Sequence, residues 1–155
     1  MRWESLVSIY NLKLAWRRIS TGRNLQHKRF FRDAYLVYET ALNQNLKWLR
    51  QQLLAYAWTP SHPERLYVPK PSGLQRPISL LGIEDQILLQ AIANLFAKKL
   101  YRNRKEVELK SVFSNVLSEP AYSIFFTRPW QESYNAFQDK CRDFFNESVE
   151  KPCYF

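Results

Sequence analysis

Lys70 and Arg76 stand on either side of a Pro71-Ser72-Gly73 turn, within the stretch Leu66-Tyr67-Val68-Pro69-Lys70-Pro71-Ser72-Gly73-Leu74-Gln75-Arg76-Pro77-Ile78-Ser79-Leu80-Leu81. Both side chains are long enough to converge on one anion. Hydrogen bonds to charged groups contribute about 1.5–3 kcal/mol each, and a guanidinium can grip two oxygens of a phosphate at once. The chemistry on offer is therefore the holding of phosphate. The same residues also suit a plain surface hairpin whose cations keep it soluble, and residue types alone do not separate the two readings.

Other reactive constellations are scarce. The chain has four aspartates, Asp33, Asp85, Asp139 and Asp143, and only Asp139 and Asp143 share a helical spacing that would let them hold one cation. Lys140 and Arg142 surround that pair, so a solvated helix face is the stronger reading. His62 lies between Pro60 and Pro63 and reads as an exposed loop residue. Cys141 and Cys153 match no zinc or redox spacing, and Cys141 reads as a small buried hydrophobe. There is no Walker-type glycine loop, no Ser/His/Asp set and no His/Cys metal cluster. With three glycines and two histidines, the chain by itself has little material for an active site.

Composition narrows the partners. The 155 residues carry 23 Lys and Arg against 14 Asp and Glu, a formal charge of +9. Such a balance favours polyanions, chiefly nucleic acid, although a well-solvated surface has the same composition. A hydrophobic content of 46% suffices for a core in a single domain. No stretch approaches the roughly 20 apolar residues of a membrane span, and Glu4 interrupts the N-terminal run, so no secretory signal is read there. These features lead to the expectation of a cytoplasmic protein with reduced thiols.

The elements that position Lys70 and Arg76 follow from periodicity. Trp3, Leu6, Val7, Tyr10, Leu14 and Trp16 predict a helix over 3–19, stopped near Gly22. Phe31, Tyr35, Tyr38, Leu42, Leu46, Leu49 and Leu53 advance by threes and fours, predicting one long helix over 27–57. Its start is basic, with Arg23, Lys28, Arg29 and Arg32 opposing the macrodipole, either to meet an external anion or on a merely solvated face. Two short β-prone runs around the turn predict a hairpin, whose prolines suit an edge ribbon. Gly73 supplies the positive φ a tight turn asks for. A helix is expected over 83–100, with Ile87, Leu88, Ala91, Ile92, Leu95 and Phe96 on one face, then a charged loop over 101–110. Short strands are expected at 111–117 and 121–126, and a last helix after Thr127 with Trp130, Tyr134, Phe137, Cys141, Phe144 and Phe145 as a core stripe. The apolar end, Lys151-Pro152-Cys153-Tyr154-Phe155, reads as a strand cut off as it begins.

Pro69-Lys70-Pro71-Ser72-Gly73-Leu74-Gln75-Arg76-Pro77-Ile78, followed by Ile83-Glu84-Asp85-Gln86 and Gln90-Ala91, resembles the early fingers motifs of prokaryotic reverse transcriptases. Trp16-Arg17-Arg18-Ile19, Gly22-Arg23-Asn24 and Phe113-Ser114-Asn115 are similar to the same enzymes, and most closely to the defence-associated, formerly unassigned group related to group II intron and retron enzymes. The likeness runs from about Trp16 onward. It implies an α+β fold, mostly helical with one β-hairpin, forming the fingers of a right-hand polymerase. Lys70 and Arg76 would then lie against the triphosphate of the incoming dNTP, with Gly73 turning the chain between them. Arg17, Arg18, Arg23, Lys28 and Arg29 would be candidates for contact with the nucleic-acid backbone of an RNA template and primer. Asp85 and Gln90 match motif positions, with hydrogen bonds that fix the fingers as their expected role.

The sequence departs from that family where catalysis would sit. The family works with two Mg2+ ions on palm aspartates, one in the first palm strand and others in a Tyr/Phe-x-Asp-Asp hairpin, and neither motif is present. The expected organisation is an N-terminal helical region at 1–62, the hairpin with its helices at 63–150, and the start of a palm strand at 151–155. The chain is then the fingers portion of an RNA-directed DNA polymerase in anti-phage defence, inactive alone and partnered by the palm and thumb of the same protein. The alternatives are a non-catalytic basic RNA- or DNA-binding module, with Tyr67 among its stacking residues, or half of a split polymerase.

Overall fold

The structure, a computed structural model, describes residues 3–22, 26–119 and 123–148. It divides into two units, Met1–Leu95 and Phe96–Phe155. Among the described residues the secondary structure is α+β and mostly helical, with one two-stranded antiparallel ribbon.

The first unit begins with two helices where the periodicity predicted one. α1 (Trp3–Leu6) ends at Val7, and α2 (Ile9–Ser20) starts afresh because Ser8 caps it, its Oγ accepting from the Asn11 N–H at 3.2 Å. α2 ends at Thr21, followed by Gly22 in the left-handed region at φ 69°, the glycine stop expected from sequence. A 3-10 turn (Gln26–Phe31) then leads into α3 (Arg32–Thr40) and α4 (Leu42–Leu54).

The long helix expected over 27–57 is therefore broken at Ala41, whose carbonyl accepts from both Gln44 and Asn45 at 2.9 Å. Asn45 Nδ2 repairs the break by donating to the Tyr38 carbonyl at 3.0 Å. The apolar stripe survives it: Tyr35, Tyr38, Leu46, Leu49 and Leu53 are buried, with Phe31 and Leu42 packed against them. α4 stops at Leu54, where Ala57 N–H bonds to the Gln52 carbonyl and Tyr56 N–H to that of Leu53, a Schellman closure with Tyr56 at φ 54°.

β1 (Glu64–Pro69) and β2 (Gln75–Leu80) pair antiparallel, and α5 (Ile83–Val107) follows. Up to Leu95, α5 closes the core of the first unit with Ile87 and Ala91 against Leu12, Ala15 and Trp16 of α2. Phe96, expected on that face, is instead 51% exposed. The charged segment expected to be a loop over 101–110 is helical as far as Val107. Arg104 and Glu108, four residues apart, explain why: their ion pair at 2.9 Å closes the last turn.

In the second unit Glu108 also accepts from the Leu117 N–H at 3.1 Å, and Arg104 donates to the Asn115 carbonyl at 3.2 Å. These side-chain bonds replace the strand expected at 111–117, of which only isolated bridges exist, Glu108 with Val112 and Leu117 with Thr127. The described part of 121–126 is likewise not strand. α6 (Trp130–Ser148) begins three residues after Thr127. Its aromatic stripe is not core: Trp130, Tyr134, Phe137, Phe144 and Phe145 are all exposed, while Ser133 is buried. Cys141 is only partly buried, and the segment 151–155 lies outside the described residues.

Candidate functional site

The hairpin is built as its sequence demands. Lys70 N–H donates to the Leu74 carbonyl at 2.8 Å and Gly73 N–H to the Lys70 carbonyl at 3.0 Å, closing a proline-led turn. Gly73 sits at φ 80°, the left-handed residue of a G1 bulge.

The register then sorts the side chains. Leu66 opposes Ile78, Val68 opposes Arg76, and Glu64 opposes Leu80. Period-two alternation places these six on one face of the ribbon. Leu66, Val68, Ile78 and Leu80 are half-buried there, which marks it as the inner face. Arg76 thus extends the inner face beyond its apolar part. Continuing β1 by one residue past Pro69 brings Lys70 to the same side, diagonal to Arg76 and roughly 7–8 Å from it. Both side chains are exposed, and neither has a protein partner among the described residues. Two uncommitted cations on one face can take one polyanionic group between them. Tyr67, 54% exposed, alternates to the opposite face with Arg65.

The remaining predicted residues divide by what their side chains already hold. Arg17 is exposed on α2, and Arg29 is exposed with its guanidinium 5.5 Å from the Phe30 ring centroid. Both are available to a phosphate backbone. Arg18 is not. It is 5% exposed and donates to Asn94 Oδ1 at 2.6 Å. Burial draws its pKa below the usual guanidinium value. Lys28 also turns inward, its Nζ donating to the carbonyls of Ile19 at 2.7 Å and Thr21 at 2.6 Å. It thereby satisfies the C-terminal end of α2 with a cation, where the macrodipole favours one. For Arg18 and Lys28, then, backbone contact gives way to roles inside the fold. Arg23 lies outside the described residues.

Asp85 and Gln90 tie elements together. Asp85 is buried, and its Oδ2 accepts from both the backbone N–H (3.0 Å) and the hydroxyl of Ser61, in the segment that leads into β1. Gly82 permits that approach, since a Cβ there would lie 2.8 Å from Ser61 Oγ. Gln90 Nε2 donates to Asn94 Oδ1 at 2.9 Å. Asn94 Nδ2 in turn donates to Asn11 Oδ1 at 3.1 Å, and Asn11 Nδ2 to the Leu6 and Ala91 carbonyls, each at 3.1 Å. This buried network pins α2 to α5, the helix that follows the hairpin. Sequence reasoning missed Asn11 and Asn94; their signal was polar residues at positions facing an otherwise apolar helix stripe.

Charge is uneven between the units. Residues 1–95 hold thirteen Lys and Arg against six Asp and Glu, a balance of +7, while residues 96–155 hold ten against eight. The second unit has a cavity of about 360 Å3 lined by Phe113, Asn115, Arg128, Trp130, Tyr134 and Phe137. Phe113 and Asn115 belong to the motif noted in the sequence, but α6 itself is net acidic. No three His, Cys, Asp or Glu side chains group together among the described residues. Asp139 pairs with Arg142 at 3.1 Å instead of with Asp143. No described helix is long and apolar enough to cross a membrane.

Comparison with protein-family models, with curated proteins and with solved structures finds no match.

Proposed function

We propose that this chain is the nucleotide-holding fingers portion of an RNA-directed DNA polymerase, with anti-phage defence as its setting and palm aspartates supplied by another segment or chain. The observation that carries the reading is the hairpin register, which puts the uncommitted cations Arg76 and Lys70 on one face beyond an apolar anchor. That arrangement suits a triphosphate gripped at the tip of a ribbon whose root is fixed by Asp85 and Ser61. The resemblance of Pro69–Ile78 to the fingers motif gives the anion its identity, an incoming dNTP, and Arg17 and Arg29 are left for the template backbone.

In the complete polymerase, with Mg2+ expected on the palm, this chain's residues orient the triphosphate and carry none of the covalent chemistry. Lys70→Ala and Arg76→Ala therefore raise the KM for dNTP about tenfold or more each in RNA-templated primer extension, as loss of a charged hydrogen bond requires. Unchanged nucleotide kinetics in both variants contradict the assignment. The second reading, a non-catalytic RNA- or DNA-binding module, rests on the same +7 unit. It predicts strand binding with no response to dNTP.

A further inference from the structure

At the root of the hairpin, the opposite end from Lys70, the first unit has an open cleft of about 330 Å3. Phe30 and Phe31 form an apolar wall; Ser61, His62 and Glu64 give it a polar edge, and Leu80 closes it from β2. Phe30 is 41% exposed and has the Arg29 guanidinium 5.5 Å from its ring, so a cation accompanies the aromatic wall.

The polar edge has a definite sense. The Ser61 hydroxyl donates its proton to Asp85, so toward the cavity its oxygen can only accept. The Glu64 carboxylate has no cationic or hydrogen-bond partner among the described residues, and an ionised carboxylate is acceptor-only. A ligand suited to this cavity must combine a flat π-face with adjacent N–H donors.

We propose that this cavity is a guanine-binding site, in which the base lies against Phe30 and Phe31 and its N1–H and N2–H donate to the Glu64 carboxylate. Adenine and cytosine do not present two adjacent N–H donors on two ring-edge nitrogens in this way. The site does not depend on the polymerase reading, because it needs neither the phosphate clamp nor a template.

Guanosine is the probe, because it has no phosphate for Lys70 and Arg76 to hold. The experiment titrates it into the full chain by NMR, following His62 and Gly82, beside adenosine and cytidine. Saturable shifts with guanosine alone are expected. Glu64→Gln and Phe30→Ala should each weaken them about tenfold, with the melting temperature of Glu64→Gln unchanged because that side chain is exposed and unpaired. Arg76→Ala should leave the titration as it is. Absence of saturation, equal response to cytidine, or full binding by Glu64→Gln overturns the proposal. So does loss of binding in Arg76→Ala, which would move the base to the tip of the ribbon.

Discussion

Arg18 and Asn94, 76 positions apart in sequence, meet at 2.6 Å inside the first unit. A buried cation held by a neutral amide is costly to disturb, because the amide oxygen is part of what replaces water around the charge. Asn94 also accepts from Gln90 and donates to Asn11, so one side chain joins α2 to α5.

Asn94→Ala should therefore destabilise the chain by about 2–3 kcal/mol. Urea denaturation checks this. A loss below about 0.5 kcal/mol would mean that Arg18 finds equivalent solvation without Asn94.

The division of the basic residues gives a separate test. Strand binding by the free chain should be weak and salt-sensitive, with each phosphate contact contributing about −0.7 to the log-log salt slope. Arg17→Gln and Arg29→Gln should each make the slope shallower by about that amount. Lys28→Met should leave the slope alone and instead lower stability by about 1 kcal/mol, because it uncaps the carbonyls of Ile19 and Thr21. Oligonucleotide titrations at several salt concentrations, paired with denaturation, separate the two classes.

Tyr35 supplies a pH dependence. Its hydroxyl donates to Gln86 Oε1 at 2.7 Å, and burial pushes its pKa up from 10.0 to about 12. The folded state thus holds the proton more tightly than the unfolded chain. The associated stability is complete below pH 10 and is lost as pH rises toward 12. Burial also raises the Tyr38 pKa, with Glu84 adding to it in the same sense. Melting temperature should fall steeply above pH 10, and less steeply in Tyr35→Phe. Parallel curves for the two proteins would show that Tyr35 titrates no differently when folded.

Gly73 tests the turn. Nothing lies within 4 Å of a Cβ built there, so only the φ of 80° opposes substitution. Gly73→Ala should cost about 1–2 kcal/mol, and Gly73→Asn less, since Asn tolerates the left-handed region. Equal stability for all three residues would mean that the turn relaxes to negative φ.

The hairpin and the apolar stripes were legible in the sequence because their causes are local. Gly73, the prolines and the β-branched runs fix the ribbon within the seventeen residues from Glu64 to Leu80, and Tyr35 to Leu53 keep one apolar face even though Ala41 breaks the helix. The inward turn of Arg18 and Lys28 was not legible. A basic residue looks the same on paper whether it meets solvent or a helix end, and the partners Asn94, Ile19 and Thr21 come from folding. The α6 stripe misled for the opposite reason: period alone marks an apolar face and does not say what, if anything, covers it.

The central claim is that Lys70 and Arg76 together hold a triphosphate. Calorimetric titration of the chain with dTTP, beside thymidine, measures it most directly. The triphosphate should bind and the phosphate clamp should account for it, so Lys70→Ala/Arg76→Ala abolishes the heat while melting temperature stays constant. Equal binding by the double variant, or none by the wild-type chain, would contradict the claim.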